Sequence, residues 1–256
     1  MKVTVLGCGA SLGVPAAGGF WGDCNPNNPK NERTRASILI ETENTTVLVD
    51  TTPDVRQHLN TYNVQRLDGV ILSHAHSDHI SGMDDLRVIS YRMGEPIKAF
   101  TNKETAAYIA EHRSYAVKDS TKIYKAFMNM NVCDYGVNTI GDIDFHWFEQ
   151  EHKTCKTIGL RIGDFAYSVD MMDLNPDALA TLHGVKTWIV DCGGYKLDHD
   201  KITTHANLEM VKKWSKDLNV ENTYLTVLTG RMDYDEVSSH LPENMHMLYD
   251  GFSLTF

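Results

Sequence analysis

Residues 73–79 of this chain read Ser-His-Ala-His-Ser-Asp-His and directly follow the apolar run Val-Ile-Leu at positions 70–72. His74, His76, Asp78 and His79 thus place three imidazoles and a carboxylate within six positions. These groups suit Zn²⁺, Mn²⁺ or Fe²⁺, and a loop at a strand end can aim neighbouring side chains at one point. A His-rich surface loop is the alternative, but this spacing after a buried strand favours a metal site.

Length and composition favour one globular domain over residues 1–256. Hydrophobic residues at 42% and charged residues at 23% are ordinary for a soluble protein with one large core. No apolar run is long enough to cross a bilayer, and Met1-Lys2 runs straight into a strand-like segment, so we expect no membrane span and no signal peptide. The five cysteines are scattered without Cys-x-x-Cys spacing, which indicates reduced thiols and a cytoplasmic protein.

The charge distribution limits the partners. A net charge of −10 argues against extended nucleic-acid binding. Arg33 and Arg35 nevertheless share one loop with Lys30, and Arg87 follows the metal motif. These side chains either bind a substrate phosphate, support the metal ligands without binding the ion themselves, or form a solvated surface. No pattern bears on oligomeric state, so a homodimer stays open.

Apolar runs and helical patterns alternate along the chain. Short β-branched runs bounded by Gly, Pro, Asn or Asp predict strands at 3–6, 37–40, 47–49, 70–72, 143–149, 157–162, 165–169, 187–190, 223–228 and 247–248. Helical spacing predicts helices near 53–60, 84–93, 105–114, 206–218 and 234–241. This order predicts an α/β (α+β) fold in which two packed sheets are flanked by helices.

Residues 74–79 resemble the signature of the metallo-β-lactamase superfamily, whose fold is an αββα sandwich of two mixed β-sheets flanked by helices. The loop Gly-Cys-Gly-Ala-Ser-Leu-Gly-Val-Pro at 7–15 and the strand Val-Leu-Val-Asp-Thr at 47–51 are similar to those of its phosphodiesterase branch. Together these segments look most like the cyclic phosphodiesterases of the carbon–phosphorus lyase pathway and their bacterial relatives.

The resemblance implies two divalent metal ions, Zn²⁺ or Mn²⁺, held mainly by the motif. Its first two histidines would bind the first ion together with His152, which ends a predicted strand. Asp78 and His79 would bind the second ion, and Asp170 would bridge the two. The alternative interpretation of His152 is a surface histidine, and that of Asp170 is a helix cap.

The resemblance also implies catalytic roles. A metal-bound hydroxide, oriented by Asp78, would attack a phosphoryl group held by both ions. Asp50 would fix an imidazole by accepting its N–H, or it is only a turn former. His205 resembles the non-ligand histidine that opens a helix and donates a proton to the leaving group, or it is only a neighbour of the helix cap. We predict that His199 is solvated.

One position departs from the superfamily pattern. The last ligand is usually a histidine in a Leu-Thr-His segment, but here Leu225-Thr226 is followed by Val227. Because valine cannot bind a metal, the second site lacks one ligand. We expect that water fills the position, that the second ion binds weakly, or that one ion suffices.

These patterns lead to a metal-dependent hydrolase as the principal interpretation. The predicted activity is that of a phosphodiesterase on a small cyclic or nucleotide-like phosphate ester. A thioester or lactone hydrolase on the same scaffold is the first alternative. The second is a degenerate metal-binding or nucleotide-binding protein with little turnover, an interpretation that Val227 favours.

Overall fold

Two seven-stranded β-sheets form the centre of the computed structural model, which describes residues 1–121, 123–196 and 204–256. The strands of the first sheet are β1 (Lys2–Gly7), β2 (Ser37–Glu41), β3 (Thr46–Val49), β4 (Gly69–Ile71), β5 (Ile97–Thr101), β6 (Met128–Val132) and β14 (Ser253–Thr255). The strands of the second sheet are β7 (Gly136–Ile140), β8 (Ile143–His152), β9 (Cys155–Ile162), β10 (Phe165–Ser168), β11 (Thr187–Asp191), β12 (Asn222–Thr226) and β13 (Met245–Met247).

Helices lie outside the two sheets. They are α1 (Val55–Thr61), α2 (Ser77–Ile80), α3 (Arg87–Met93), α4 (Lys103–His112), α5 (Ser114–Val117), α6 (Pro176–Leu182), α7 (Leu208–Asp217) and α8 (Tyr234–Ser238), with 3₁₀ turns at Pro29–Asn31 and Met83–Leu86. Among the described residues, no helix combines the length and the apolarity that crossing a membrane requires.

The apolar runs of the central strands are continuous because both of their faces are buried. In β2, Ile38 and Ile40 belong to the core between the sheets, whereas Leu39 belongs to the core under the helices. The outer core joins the first sheet to α1, α3 and α4, and the inner core continues from the second sheet to α6 and α7. This arrangement is the predicted αββα sandwich.

Strand direction determines where the polar strand ends meet. In the first sheet β3 pairs in parallel with β4, and β4 with β5. In the second sheet β10, β11 and β12 are parallel neighbours. Parallel strands end at the same edge of a sheet, where ligands of open α/β sheets bind. Asp50 directly follows β3, while Asp170 follows β10 and Asp191 ends β11.

All ten predicted strands and all five predicted helices overlap observed elements. The sequence analysis missed β5, β6, β7, β14, α2 and α6. Three of these strands, β6, β7 and β14, lie at sheet edges. Their sequences, such as Met-Asn-Met-Asn-Val in β6, mix polar and apolar residues. An edge strand has only one paired side and tolerates polar residues, so the continuous apolar signal is absent there.

Candidate metal centre

The histidine motif begins two residues beyond β4, at the edge where the parallel strands end. His76, with φ −67° and ψ 150°, is extended and precedes the single helical turn α2. That turn brings the ring centroid of His79 to 4.2 Å from that of His74, and the ring of His76 lies 4.5 Å from His74. A strand end followed by one turn of helix therefore concentrates three imidazoles.

His152 and Asp170 approach these imidazoles from the second sheet. His152 is the last residue of β8, and Asp170 follows β10 with a left-handed φ of 48°. Asp170 Oδ2 lies 3.4 Å from His79 Nε2. The Nε2 atoms of His152 and His74 lie 3.6 and 3.7 Å from the same oxygen. These separations exceed ordinary hydrogen-bond lengths and fit donors that share a cation.

Three groups of donors meet at Asp170, and within each group all donor atoms lie within 4.8 Å of one another. We name two of them the four-donor set, which is His74, His76, His152 and Asp170, and the three-donor set, which is Asp78, His79 and Asp170; the third combines Asp170 with Asp191 and His205. Imidazole nitrogens with carboxylate oxygens are suitable ligands for divalent metal ions. The fold thus brings together all six residues that the sequence analysis proposed as ligands.

The burial and hydrogen bonding of His74 indicate whether the four-donor set suits a cation. Its ring is fully buried, and Nε2 has no hydrogen-bond partner in the described structure. Burial lowers the pKa of His74 well below its usual value, and the nearby His79 lowers it further, so the ring is neutral. Leaving a buried polar atom unpaired is costly. A divalent cation would satisfy this nitrogen, because a neutral imidazole is a good metal ligand.

Asp170 and His79 hold the opposite charges of the centre. Burial by itself would raise the pKa of Asp170, but the imidazoles of His79 and His74 hold it well below the usual range. Burial would likewise lower the pKa of His79, whereas Asp170 and Asp50 hold it well above. A cation at His79 Nε2 would replace a proton there, so metal binding is expected to release protons.

Hydrogen bonds from outside the donor sets orient the imidazoles. Asp50 is fully buried, and its Oδ2 accepts from His79 Nδ1 at 2.7 Å and from Ser73 Oγ at 2.8 Å. Its Oδ1 accepts from the Ser73 backbone N–H at 2.7 Å. His152 Nδ1 donates to the Thr204 carbonyl at 2.7 Å. In both rings Nδ1 donates this hydrogen bond, and Nε2 is directed to Asp170. Metal-binding histidines are oriented in the same way, by a hydrogen bond at the ring nitrogen that does not bind the metal.

His205 lies beside the four-donor set and is paired with Asp191. Its Nδ1 donates to Asp191 Oδ2 at 2.8 Å, and its ring centroid is 5.1 Å from that of His152. The Asp191 carboxylate is fully buried and also accepts from the N–H groups of Met171 and Gly193. Burial would lower the pKa of His205, but Asp191 raises it to about 9. The imidazole is therefore protonated at neutral pH.

The sequence analysis did not identify Asp191. Its signal was present, because Asp191 directly follows the buried run 187–190 as Asp50 follows 47–49 and Asp170 follows 165–169. An acidic residue at the end of a buried strand is the feature that these three aspartates share. Asp191, Asp170 and His205 also place one donor atom each within 4.8 Å of one another, so the pair adjoins the centre directly.

The prediction that Arg33 binds a substrate phosphate is wrong. Arg33 is 2% exposed. Its guanidinium donates to the backbone carbonyls of Met232, at 2.7 Å, and Thr229, at 3.2 Å, and to Asn31 Oδ1 at 3.0 Å. A buried charged side chain must be paired or hydrogen-bonded, and here it binds two segments of the chain together instead of facing a substrate.

Arg35 and Arg87 also have protein partners. Arg35 Nη1 lies 2.9 Å from Asp54 Oδ1. Arg87 Nη2 lies 3.0 Å from Asp84 Oδ1, and its guanidinium carbon lies 5.0 Å from the centroid of the Phe127 ring. None of these contacts involves a member of either donor set. A role for Arg35 and Arg87 in phosphate binding stays a prediction.

Val227 follows β12 at the edge where the donors meet. It is buried and has a left-handed φ of 60°. The next residue, Leu228, donates its backbone N–H to the Cys8 carbonyl at 2.8 Å, and its own carbonyl accepts from the Ala10 N–H at 3.1 Å. The backbone next to the valine is thus fixed to the loop that follows β1. His199, which we predicted to be solvated, lies outside the described residues.

Comparison with known proteins finds a matching family model and solved structures with the same fold. Residues 45–226 match a family model described as a beta-lactamase superfamily domain. A crystal structure of a diphosphatase from the PhnP family is 26% identical, with a TM-score of 0.87 over 100% of this chain and 97% of that one. The metallo-beta-lactamase fold protein YhfI from Bacillus subtilis is 21% identical, with a TM-score of 0.75 over 99% of each chain.

One curated relative is named for a different reaction, the transfer of an octanoyl group. The octanoyltransferase of Porphyromonas gingivalis (strain ATCC BAA-308 / W83) is 25% identical over 256 residues, which are 98% of this chain. They match 51% of that protein, so the chain spans about half of its length. The name therefore describes a protein with a large part that has no counterpart here.

Proposed function

Since the chain belongs to the beta-lactamase superfamily, whose αββα fold and His/Asp donor sets it has, we propose that this metal-dependent hydrolase cleaves small phosphate esters. The bond cleaved is a phosphodiester or a diphosphate in a cyclic or nucleotide-like substrate. The observation that carries the proposal is Asp170 Oδ2, which faces three imidazoles and belongs to both donor sets. Two neighbouring cation sites suit phosphoryl transfer, because both the attacking and the leaving oxygen can be stabilised.

The roles of the residues follow from their contacts. When bound, a pair of divalent ions supplies Lewis acidity and makes water nucleophilic near neutral pH. The donor sets would hold these ions, and Asp78, the most exposed carboxylate among the donors, would orient the attacking water. Because Asp191 raises the pKa of His205 to about 9, the ring is protonated at both nitrogens at neutral pH: Nδ1–H donates to Asp191, and Nε2 holds the second proton. A proton there can pass to the departing oxygen of the ester.

The similarities favour phosphate chemistry over other reactions of this fold. The diphosphatase of the PhnP family matches the chain over its whole length. The net charge of −10 suits a small substrate better than a long polyanion. A divalent ion site surrounded by carboxylates can bind one phosphate group without a basic surface around it.

The test combines metal analysis with a substrate panel. The wild-type chain, loaded with Zn²⁺ or Mn²⁺, is assayed with an activated aryl phosphodiester, a nucleoside cyclic phosphate, a dinucleoside diphosphate and the matching monoesters. We expect bound metal and hydrolysis of a diester or diphosphate, and the loss of both in His76→Ala. Bound metal without turnover of any phosphate substrate would contradict the proposal. His146→Ala, at an exposed position of β8, is the control for the loss of an imidazole.

Acyl ester hydrolysis is the second candidate, and the octanoyltransferase match favours it. Octanoyl transfer is acyl chemistry, and divalent ions held by the two donor sets would supply the Lewis acidity that hydrolysis of a thioester by water needs. An octanoyl thioester and a lactone therefore belong in the same panel. Turnover of either one at a higher kcat/KM than any phosphate substrate would favour this candidate over the phosphoesterase.

A further inference from the structure

The Asp191 carboxylate is held in one orientation by the backbone around it. Asp191 ends β11 and is fully buried. Its Oδ2 accepts from the Met171 backbone N–H at 2.9 Å and from His205 Nδ1 at 2.8 Å, and its Oδ1 accepts from the Gly193 backbone N–H at 2.7 Å. Because both oxygens are bonded, the carboxylate cannot follow the imidazole if the ring moves.

The backbone next to His205 is held as well. The following residue, Ala206, donates its N–H to the Met171 carbonyl at 2.7 Å, and the Ala206 carbonyl accepts from the Gly194 N–H at 2.9 Å. Since these bonds fix the chain on one side of His205, a crowded ring must yield by rotation about its side-chain bonds. Such a rotation would separate Nδ1 from Asp191.

Gly193 lies against the base of the His205 side chain. A Cβ atom on Gly193 would come 2.9 Å from His205 Cγ and 3.2 Å from both Cβ and Nδ1 of the same side chain. Carbon atoms in contact are ordinarily about 3.5–4.0 Å apart, so a methyl group here would overlap the imidazole. Gly193 has no left-handed φ. The conflict with His205 is therefore what a side chain at this position would meet.

We propose that Gly193 is a positioning residue for His205: its missing side chain leaves the room in which the imidazole keeps Nδ1 bonded to Asp191. The inference rests on the proposed function, because proton transfer from His205 is a step of that function. The three atoms nearest to the Cβ position all belong to His205. A substitution at Gly193 thus acts on that ring first, and both donor sets should keep their ions.

Gly193→Ala tests the inference without turnover. The Nδ1–H of His205, bonded to a buried carboxylate, should give a downfield proton resonance in the Zn²⁺-loaded full chain, identified by its loss in His205→Ala. We expect this resonance to disappear or move upfield in Gly193→Ala, with unchanged metal content by elemental analysis. Gly69→Ala is the matched control, because its Cβ would come 2.7 Å from Ile140 and 3.0 Å from Phe100 instead; it should keep the resonance.

A double-mutant cycle separates positioning from general damage. With a phosphodiester whose leaving group has a high pKa, Gly193→Ala should lower kcat about 10 to 10²-fold and change KM little. In the His205→Ala background the same substitution should have no further effect on kcat, because the ring on which it acts is gone. Urea titrations provide the same cycle for folding: the stability that Gly193→Ala loses should largely return when His205→Ala is added.

Two results would overturn the inference. One is a Gly193→Ala variant that keeps the wild-type resonance. The other is a loss of stability or of kcat that is equally large with and without the His205 ring. Either result together with diester hydrolysis would leave the proposed function intact. Loss of the resonance in Gly193→Ala, in a chain whose wild type turns over no phosphate ester, would support the inference and count against the proposed function.

Discussion

Asp50 and Asp170 occupy equivalent places in the two halves of the molecule. Each follows the strand, β3 or β10, that pairs antiparallel with the strand before it and parallel with the strand after it. Both are buried and left-handed. Both also contact the ring of His79, Asp50 at Nδ1 over 2.7 Å and Asp170 at Nε2 over 3.4 Å. The same position in the fold thus presents carboxylates to opposite sides of one imidazole.

Distance and neighbours separate the two carboxylates. At 2.7 Å, Asp50 is hydrogen-bonded to His79, and its remaining acceptor positions are used by Ser73. Asp170 instead lies 3.4 to 3.7 Å from three imidazole nitrogens, where a shared cation can satisfy all of them. An aspartate that follows a strand therefore either orients an imidazole by a hydrogen bond or becomes a candidate metal ligand. Its neighbours in the folded protein decide between the two roles.

Asp170→Ala should have the largest effect, because Asp170 belongs to both donor sets. We expect loss of bound metal at both sets and hydrolysis at the background rate. Elemental analysis after dialysis measures the metal, and the diester assay measures turnover. Asp164→Ala, at an exposed aspartate just before β10, is the matched control. Retention of both ions in Asp170→Ala would show that Asp170 is not the shared ligand.

His205→Ala should impair proton transfer to the leaving group and leave metal binding unchanged. Its ring touches His152 but belongs to neither donor set, so metal content should be unchanged. The loss of a proton donor typically lowers kcat about 10² to 10⁴-fold. The deficit should shrink for leaving groups of low pKa, which need no proton. An equal deficit for all leaving groups would argue against this role.

Asp50→Asn sharpens the contrast with Asp170, because Asp50 bonds directly to the ring of His79 and reaches His74 only through Ser73. The amide can no longer accept from both His79 and Ser73 as the carboxylate does. We expect weaker metal binding by about 10 to 100-fold at the three-donor set and little change at the four-donor set. Stepwise Mn²⁺ titration resolves the two. Equal weakening at both sets would mean that Asp50 organises the whole centre.

Asp250→Asn should have the smallest effect, on stability alone. Burial raises the pKa of Asp250 to about 6, although Thr34 and Cys8 donate hydrogen bonds to its carboxylate. The folded protein thus keeps a proton that the unfolded chain releases from about pH 4, and the free energy of unfolding falls as pH rises to about 6, by roughly 1–3 kcal/mol. Urea titrations should show a flatter profile in Asp250→Asn, with metal affinity unchanged. An unaltered profile would refute this assignment.

The local motif was readable from the sequence, and the distant partners only in part. His152 and Asp170 were expected from their places after strands, and the fold brings both to the centre. Asp191 carried the same signal but was missed, because a strand-end aspartate alone does not indicate which side chain it meets. Arg33 was misjudged, because a basic loop sequence does not indicate that its guanidinium is buried against backbone carbonyls.

The sequence by itself determined the αββα fold, through buried runs that alternate with helical spacing, and the contiguous donors from His74 to His79. These features depend on neighbours within a few residues. Only the tertiary structure decided that Asp170 joins two donor sets and that Asp191 pairs with His205. Such contacts join residues far apart in the chain, and the pairing and direction of strands in two sheets bring them together.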